Sequence, residues 1–136
     1  MSDLTITAAN VKPGSDAVTQ NGTYGETVTA GQPVYKSSTD NFYYKAECDS
    51  TTAKAAGVGI AMNSGSANQP ATILTQGSCS IGATVAVGTV YVVSATAGGI
   101  APTTDLSSTN YVTVLGVGST TATLAVKINA SGVQKA

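Results

Sequence analysis

The sequence predicts an all-β protein, a compact small barrel or β-tulip-like domain behind an extended N-terminal arm. Three observations predict it. Val, Ile and Tyr fall in short runs set among Ser, Thr and Gly, the pattern of short strands joined by tight turns. Several runs alternate apolar with polar residues, the period of a half-buried strand. Only Ser50 to Ala56 offers a helix, with Asp49 or Ser50 to cap one or two turns.

The elements follow in chain order. Leu4 and Ile6, flanked by Thr5 and Thr7, make one short alternating strand, and Pro13-Gly14 and Asn21-Gly22 are turn signals. Gly25 to Gly31 leads into the short strand Pro33-Val34-Tyr35. Phe42, Tyr44, Ala46 and Cys48 alternate with Tyr43, Lys45, Glu47 and Asp49, which predicts a strand with the first set inward. Further strands are expected at Gly57–Ala61, Ala71–Thr75, Ala83–Val87, Val90–Val93, Tyr111–Leu115 and Thr123–Ile128.

Two segments echo one another. Gly25-Glu26-Thr27-Val28-Thr29-Ala30-Gly31 is answered by Gly82-Ala83-Thr84-Val85-Ala86-Val87-Gly88. Gly57-Val58-Gly59 is answered by Gly116-Val117-Gly118, and Ala71–Leu74 by Ala122–Ala125. The organisation expected is an arm over residues 1–24, then one β domain over 25–136 with an internal two-fold repeat (25–77 and 82–132). Each unit would be marginal alone, so the two are expected to share one core.

The composition excludes several functions. The chain of 136 residues has no His, Trp or Arg, which removes His-based nucleophilic triads, imidazole zinc sites and bidentate Arg clamps. Six Lys against seven acidic residues give a net charge of −1, without the basic surplus of a nucleic-acid binder. No apolar run suits a membrane-spanning helix or a signal peptide, so synthesis in the cytoplasm is expected. Cys48 and Cys79 match no metal or redox spacing and read as small packed hydrophobes, with a late-forming disulfide as the alternative.

Asp40, Glu47 and Asp49 are the closely spaced acid–base candidates, and Glu47 and Asp49, on the polar side of an alternating strand, read as a solvated face. No calcium loop, dinucleotide fingerprint or nucleophile elbow is written in the chain. The expectation is a protein that is not an enzyme, with no cofactor and no metal. Tyr24, Tyr35, Tyr43 and Tyr44 would form at most a small contact patch.

Taken together, Ser2–Thr7, Gly25–Tyr35, Ala55–Ala61 and the stretch from Gly82 through Val90-Tyr91 to Pro102 resemble bacteriophage capsid decoration (cement) proteins. The segment Ala56-Gly57-Val58-Gly59-Ile60-Ala61 is also similar to the middle of lambda-type head decoration proteins. The resemblance implies a homotrimer on the outer surface of a phage head, contacting the major capsid protein through its N-terminal arm. It implies no catalytic residues. The polar segment before the core is longer here than the lambda-type body requires. A receptor-binding or adhesin domain of a tail fibre or spike is the alternative, since such domains share the Thr- and Gly-rich all-β look.

The arm carries the most specific expectation. Its short strand is too small to bury itself, so it pairs either with an edge of its own body or with another protein. The contact residues expected toward the capsid or a neighbouring subunit are Asp3, Leu4, Thr5, Ile6, Thr7 and Val11.

Overall fold

The computed structural model describes residues 3–135. Among these, one antiparallel sheet is built from β1 (Val11–Pro13), β2 (Val18–Thr23), β3 (Pro33–Lys36), β4 (Tyr43–Lys45), β5 (Gly59–Ala61), β6 (Pro70–Ile81), β7 (Val90–Val93), β8 (Ile100–Pro102), β9 (Tyr111–Gly118) and β10 (Thr123–Gln134). The sheet curls into a compact half-barrel, and the protein is nearly all β. One helix, α1 (Thr52–Ala55), and two short 3-10 turns complete it. No helix of the described residues is long and apolar enough to cross a membrane.

The long strand β6 organises the rest. Leu74 pairs with Thr19 of β2 on one side and Ile60 of β5 on the other. Further along, Cys79 pairs with Pro13 of β1 and Leu124 of β10. Thus β2 and then β1 line one edge of β6, while β5 and then β10 line the other. The main path runs β4-β3-β5-β6-β10-β9-β7-β8.

This order reads alike from both ends, and the registers agree residue for residue. The pairs Val34↔Lys45, Tyr35↔Tyr44 and Lys36↔Tyr43 of β3 and β4 correspond to Tyr91↔Pro102, Val92↔Ala101 and Val93↔Ile100 of β7 and β8. Every member moves by the same number of positions. The same shift carries Pro33↔Ile60 and Val34↔Gly59 onto Val90↔Val117 and Tyr91↔Gly116. The loops obey it too: the amides of Gly31 and Gly88 donate to Ala61 O and Gly118 O, each at 2.8 Å. Both glycines hold positive φ, at 96° and 82°, which costs glycine nothing and other residues strain. The echoed segments of the sequence therefore occupy matching places in two fused units. In the first unit β2 lines β6; in the second the far half of β6 plays that part for β10.

The first unit closes on itself. Tyr24, just after β2, forms a parallel bridge with Tyr43 of β4, and Gly25 N–H donates to Tyr43 O at 2.9 Å. Tyr24, Val28, Val34, Tyr43, Ala61, Ala71 and Ile73 fill the space enclosed. The Tyr24 hydroxyl donates to Asn63 O (2.7 Å), while Asn63 Oδ1 accepts from Thr72 N–H (2.8 Å) and Asn63 Nδ2 donates to Pro70 O (3.0 Å). The buried polar tip is thereby satisfied. A larger cluster serves the second unit and the junction: Cys79, Ile81, Val85, Tyr91, Val92, Ile100, Leu115 and Leu124 are joined there by Ala46, Cys48, Ile60 and Leu74 from the first. Alternation along β5 and β6 sends Ile60 and Leu74 to this cluster and Ala61 and Ile73 to the smaller one.

Several expectations need correction. Tyr43, at 2% exposure, points inward, while Phe42 and Tyr44 stay half-exposed. β4 ends at Lys45, so the run from 42 to 49 is not one strand, and closure against Tyr24 sets the phase of its first part. Ala83–Val87 is a loop and not a strand; like the matching segment Gly25–Gly31 it holds one buried valine, Val85 where that segment has Val28. The helix begins at Thr52 with Thr51 as its cap, Oγ1 accepting from Lys54 N–H at 3.2 Å. Residues 11–24 are not part of an arm. As β1 and β2 they satisfy the main-chain groups along one edge of β6, which would otherwise stand unpaired.

Burial also sets a limit at high pH. Desolvation pushes the Cys79 thiol up to about 11 from 9.0; it does the same to Cys48, with Asp49 adding to the effect. Desolvation raises the Tyr24 phenol from 10.0 to about 12. All three are easier to ionise in the unfolded chain, so their stabilisation is complete below pH 9.0 and is lost as the pH rises toward 12. Melting temperature should hold up to about pH 9 and then fall. In a Cys48→Ala/Cys79→Ala variant the fall should begin nearer pH 10, where the raised phenols of Tyr24, Tyr43 and Tyr44 remain. A profile unchanged by removing the thiols would show that they play no part.

Candidate functional site

The second unit differs from the first where it closes. Gly82 and Ile100 correspond to Gly25 and Tyr43, which bond directly in the first unit. Here residues 4–7 lie between them. Leu4 N–H donates to Ile100 O and Thr7 N–H donates to Gly82 O, both at 2.8 Å. The segment is extended, with Leu4 and Ile6 half-buried against the larger core cluster and Thr5 and Thr7 exposed. The alternation read from the sequence is therefore real, and its inward face is this chain's own core.

Asp3 fastens the end of the segment. Its Oδ1 accepts from Ser94 Oγ at 2.6 Å, and Ser94 Oγ accepts from Thr96 N–H at 3.1 Å. Gly99 allows the approach, because a Cβ there would stand 2.5 Å from the other Asp3 carboxylate oxygen. Beside this latch a cavity of about 420 Å³ is lined by Asp3, Ser94, Thr96, Ala101, Thr104 and Leu106. A 3-10 turn at Ala8–Asn10 follows the segment, and Val11 then enters β1 opposite Ile81 with 6% exposure.

Five of the six expected contact residues, Asp3 to Thr7, thus form one stretch, with Val11 beyond the 3-10 turn, and they are not a free arm. Leu4, Ile6 and Val11 are turned to their own body and Asp3 is bonded to Ser94. Thr5 and Thr7 are the exposed side chains of the set. The physical reason is an open carbonyl on each side of the slot together with an apolar floor, which reward an alternating strand wherever it comes from. Sequence reasoning missed Gly82, Ser94, Gly99 and Ile100. The echo of Gly25 by Gly82 was the available signal, since it marks where the second unit ought to close.

The remaining candidates stand apart from this slot. Asp40 accepts from Tyr44 Oη (2.6 Å) and Phe42 N–H (2.9 Å), and both bonds lower its pKa. Glu47 pairs with Lys54 at 3.6 Å, and Asp49 is exposed. Tyr35 and Tyr44 stack with centroids 5.9 Å apart on the outer side of the β3–β4 hairpin. Cys48 and Cys79 are unpaired thiols with no exposure. Among the described residues no cluster of His, Cys, Asp and Glu could hold a metal ion.

One outward row is apolar, with Lys127 of β10 exposed two positions beyond its end. Val90, Val117 and Ala125 are direct cross-strand neighbours on β7, β9 and β10, so their side chains share a side of the sheet. Val117 is 38% exposed, and Val87, in the loop before β7, is 63% exposed. No family model, no curated protein and no solved structure matches this chain.

Proposed function

We propose that this chain is a structural protein of a virus particle. It binds the outer surface of a phage head as a homotrimer and ties neighbouring major capsid protein subunits together. The observation that carries the reading is the outward row Val90–Val117–Ala125, with Val87 exposed in the loop that leads into β7. A row of short uncharged side chains packs against a protein neighbour with little desolvation of charge, Lys127 standing at its margin. The resemblance to capsid decoration proteins supplies the kind of neighbour. Binding only to the assembled lattice stabilises the shell by mass action, and no chemistry is asked of the subunit.

The N-terminal contact takes a different form from the arm expected. With Leu4 and Ile6 turned to their own core, the docked segment offers Thr5 and Thr7 to a capsid neighbour. The test is co-sedimentation with undecorated heads, followed by electron microscopy with the protein labelled. Wild type should saturate the heads, and Val117→Lys should bind about tenfold or more weakly, as expected for a charge buried in a contact. Equal occupancy by Val117→Lys would remove this face from the seat. Label on tail tips and not on heads would overturn the reading in favour of a tail-fibre adhesin.

A further inference from the structure

We infer that residues 3–7 are an exchangeable segment, and that the slot between Gly82 and Ile100 takes this segment from a second copy of the chain. The inference rests on the fold and holds or fails apart from the proposed capsid role. The first unit shows that the architecture does not need an inserted segment. At the matching place Gly25 N–H reaches Tyr43 O directly, whereas in the second unit residues 4–7 stand between Gly82 and Ile100. The segment is thus an addition to a unit that has a complete counterpart without it.

What holds it is local. Two main-chain bonds, at Leu4 and Thr7, and the Asp3–Ser94 bond join it to the slot, with Leu4 and Ile6 as its apolar anchors. All of these are made by a stretch that can leave as one piece. The 3-10 turn Ala8–Asn10 contains no buried residue, and behind it Val11 is fixed in β1 against Ile81. The turn is therefore the hinge, and the body up to Val11 need not change when the segment leaves. The slot presents main-chain carbonyls, Gly82 O and Ile100 O, on its two sides and an apolar floor between them; the Leu4 and Thr7 N–H groups and the two inward apolar side chains that satisfy it come equally well from an identical segment of another molecule. The occupant already seated identifies the occupant that fits.

The test uses the full chain and a fluorescent, acetyl-capped peptide of residues 3–9. The chain's own segment competes at high effective concentration, so the wild-type protein should bind the peptide weakly. A full-length Leu4→Asp variant, whose own segment is handicapped, should bind the same peptide about tenfold or more tightly than wild type does. The peptide carrying Leu4→Asp should bind neither protein. Far-UV circular dichroism establishes that the variant is folded.

A second measurement covers a variant that fails to fold. The wild-type chain, concentrated and then diluted, should show a dimer on size exclusion that decays slowly and is suppressed by excess wild-type peptide. The inference is overturned if the folded variant does not take the peptide, or if both peptides bind alike. It is equally overturned, where the variant is unfolded, if the concentrated wild-type chain shows no peptide-sensitive dimer.

Discussion

Gly116→Val should destabilise the fold severely, and Gly59→Val should do nearly the same. The two glycines hold matching places, Gly59 at the start of β5 and Gly116 within β9. A Cβ on Gly116 would press on the Ala125 carbonyl oxygen and lie 2.9 Å from both Ala125 C and Val126 Cα. On Gly59 it would press on the Leu74 carbonyl oxygen and lie 2.5 Å from Ile73 Cγ2. The obstacles at Gly116 are backbone, which cannot rotate away, so relief requires β9 and β10 to separate. A cost of about 3 kcal/mol or more is expected, at the upper end for overpacking and a large fraction of a small domain's stability. Urea unfolding measures it. A Gly116→Val chain with a wild-type midpoint would show that the two strands do not approach this closely.

The next largest effects should come from truncating one large side chain in each core. Ile73 and Leu124 sit at matching positions of β6 and β10, opposite Ala61 and Gly118, both without exposure. Ile73→Ala and Leu124→Ala should each cost about 2–5 kcal/mol, the usual range for a cavity the surroundings cannot close. Both should lower the midpoint of a single transition, because β6 belongs to both units and the larger core cluster draws Ile60 and Leu74 from the first. Calorimetry distinguishes the alternatives. A Leu124→Ala chain that melts in two steps, the first alone shifted, would mean that the units are energetically separate.

The parts of this fold legible in the sequence are those where side chains carry the pattern. Pro33–Tyr35, Val90–Val93 and the starts of β9 and β10 are runs of β-branched or aromatic residues, and the strands lie there. β2 and the far half of β6 are different. Val18–Thr23 reads Val-Thr-Gln-Asn-Gly-Thr, and Gln76–Ser80 reads Gln-Gly-Ser-Cys-Ser. Their extended form comes from main-chain bonding to neighbours distant in sequence, which leaves little mark on residue type. Tyr43 was misread for a related reason: its inward direction is set by Tyr24 across the closure, not by its own neighbours along the chain.

The slot shows the same limit. Leu4 and Ile6 announce a strand that needs an edge. Which edge depends on Gly82 and Ile100, and only the folded topology brings these to the same place.

The sharing of β6 also orders events during synthesis. Once Gln76 has left the ribosome, β2 through the first half of β6 are all present, and the first unit has every strand needed to close around Ile73. The second half of β6 has only β1 beside it until β10 is made. We therefore expect chains stalled before β9 to protect the first unit from protease while leaving the second exposed; uniform digestion of such chains would refute this. On this account the finished half acts as a template, presenting Gln76 to Ser80 as a preset edge on which the newer half takes its register. The price is an interval, as long as translation from β6 to β10, in which that edge is open to any other nascent chain.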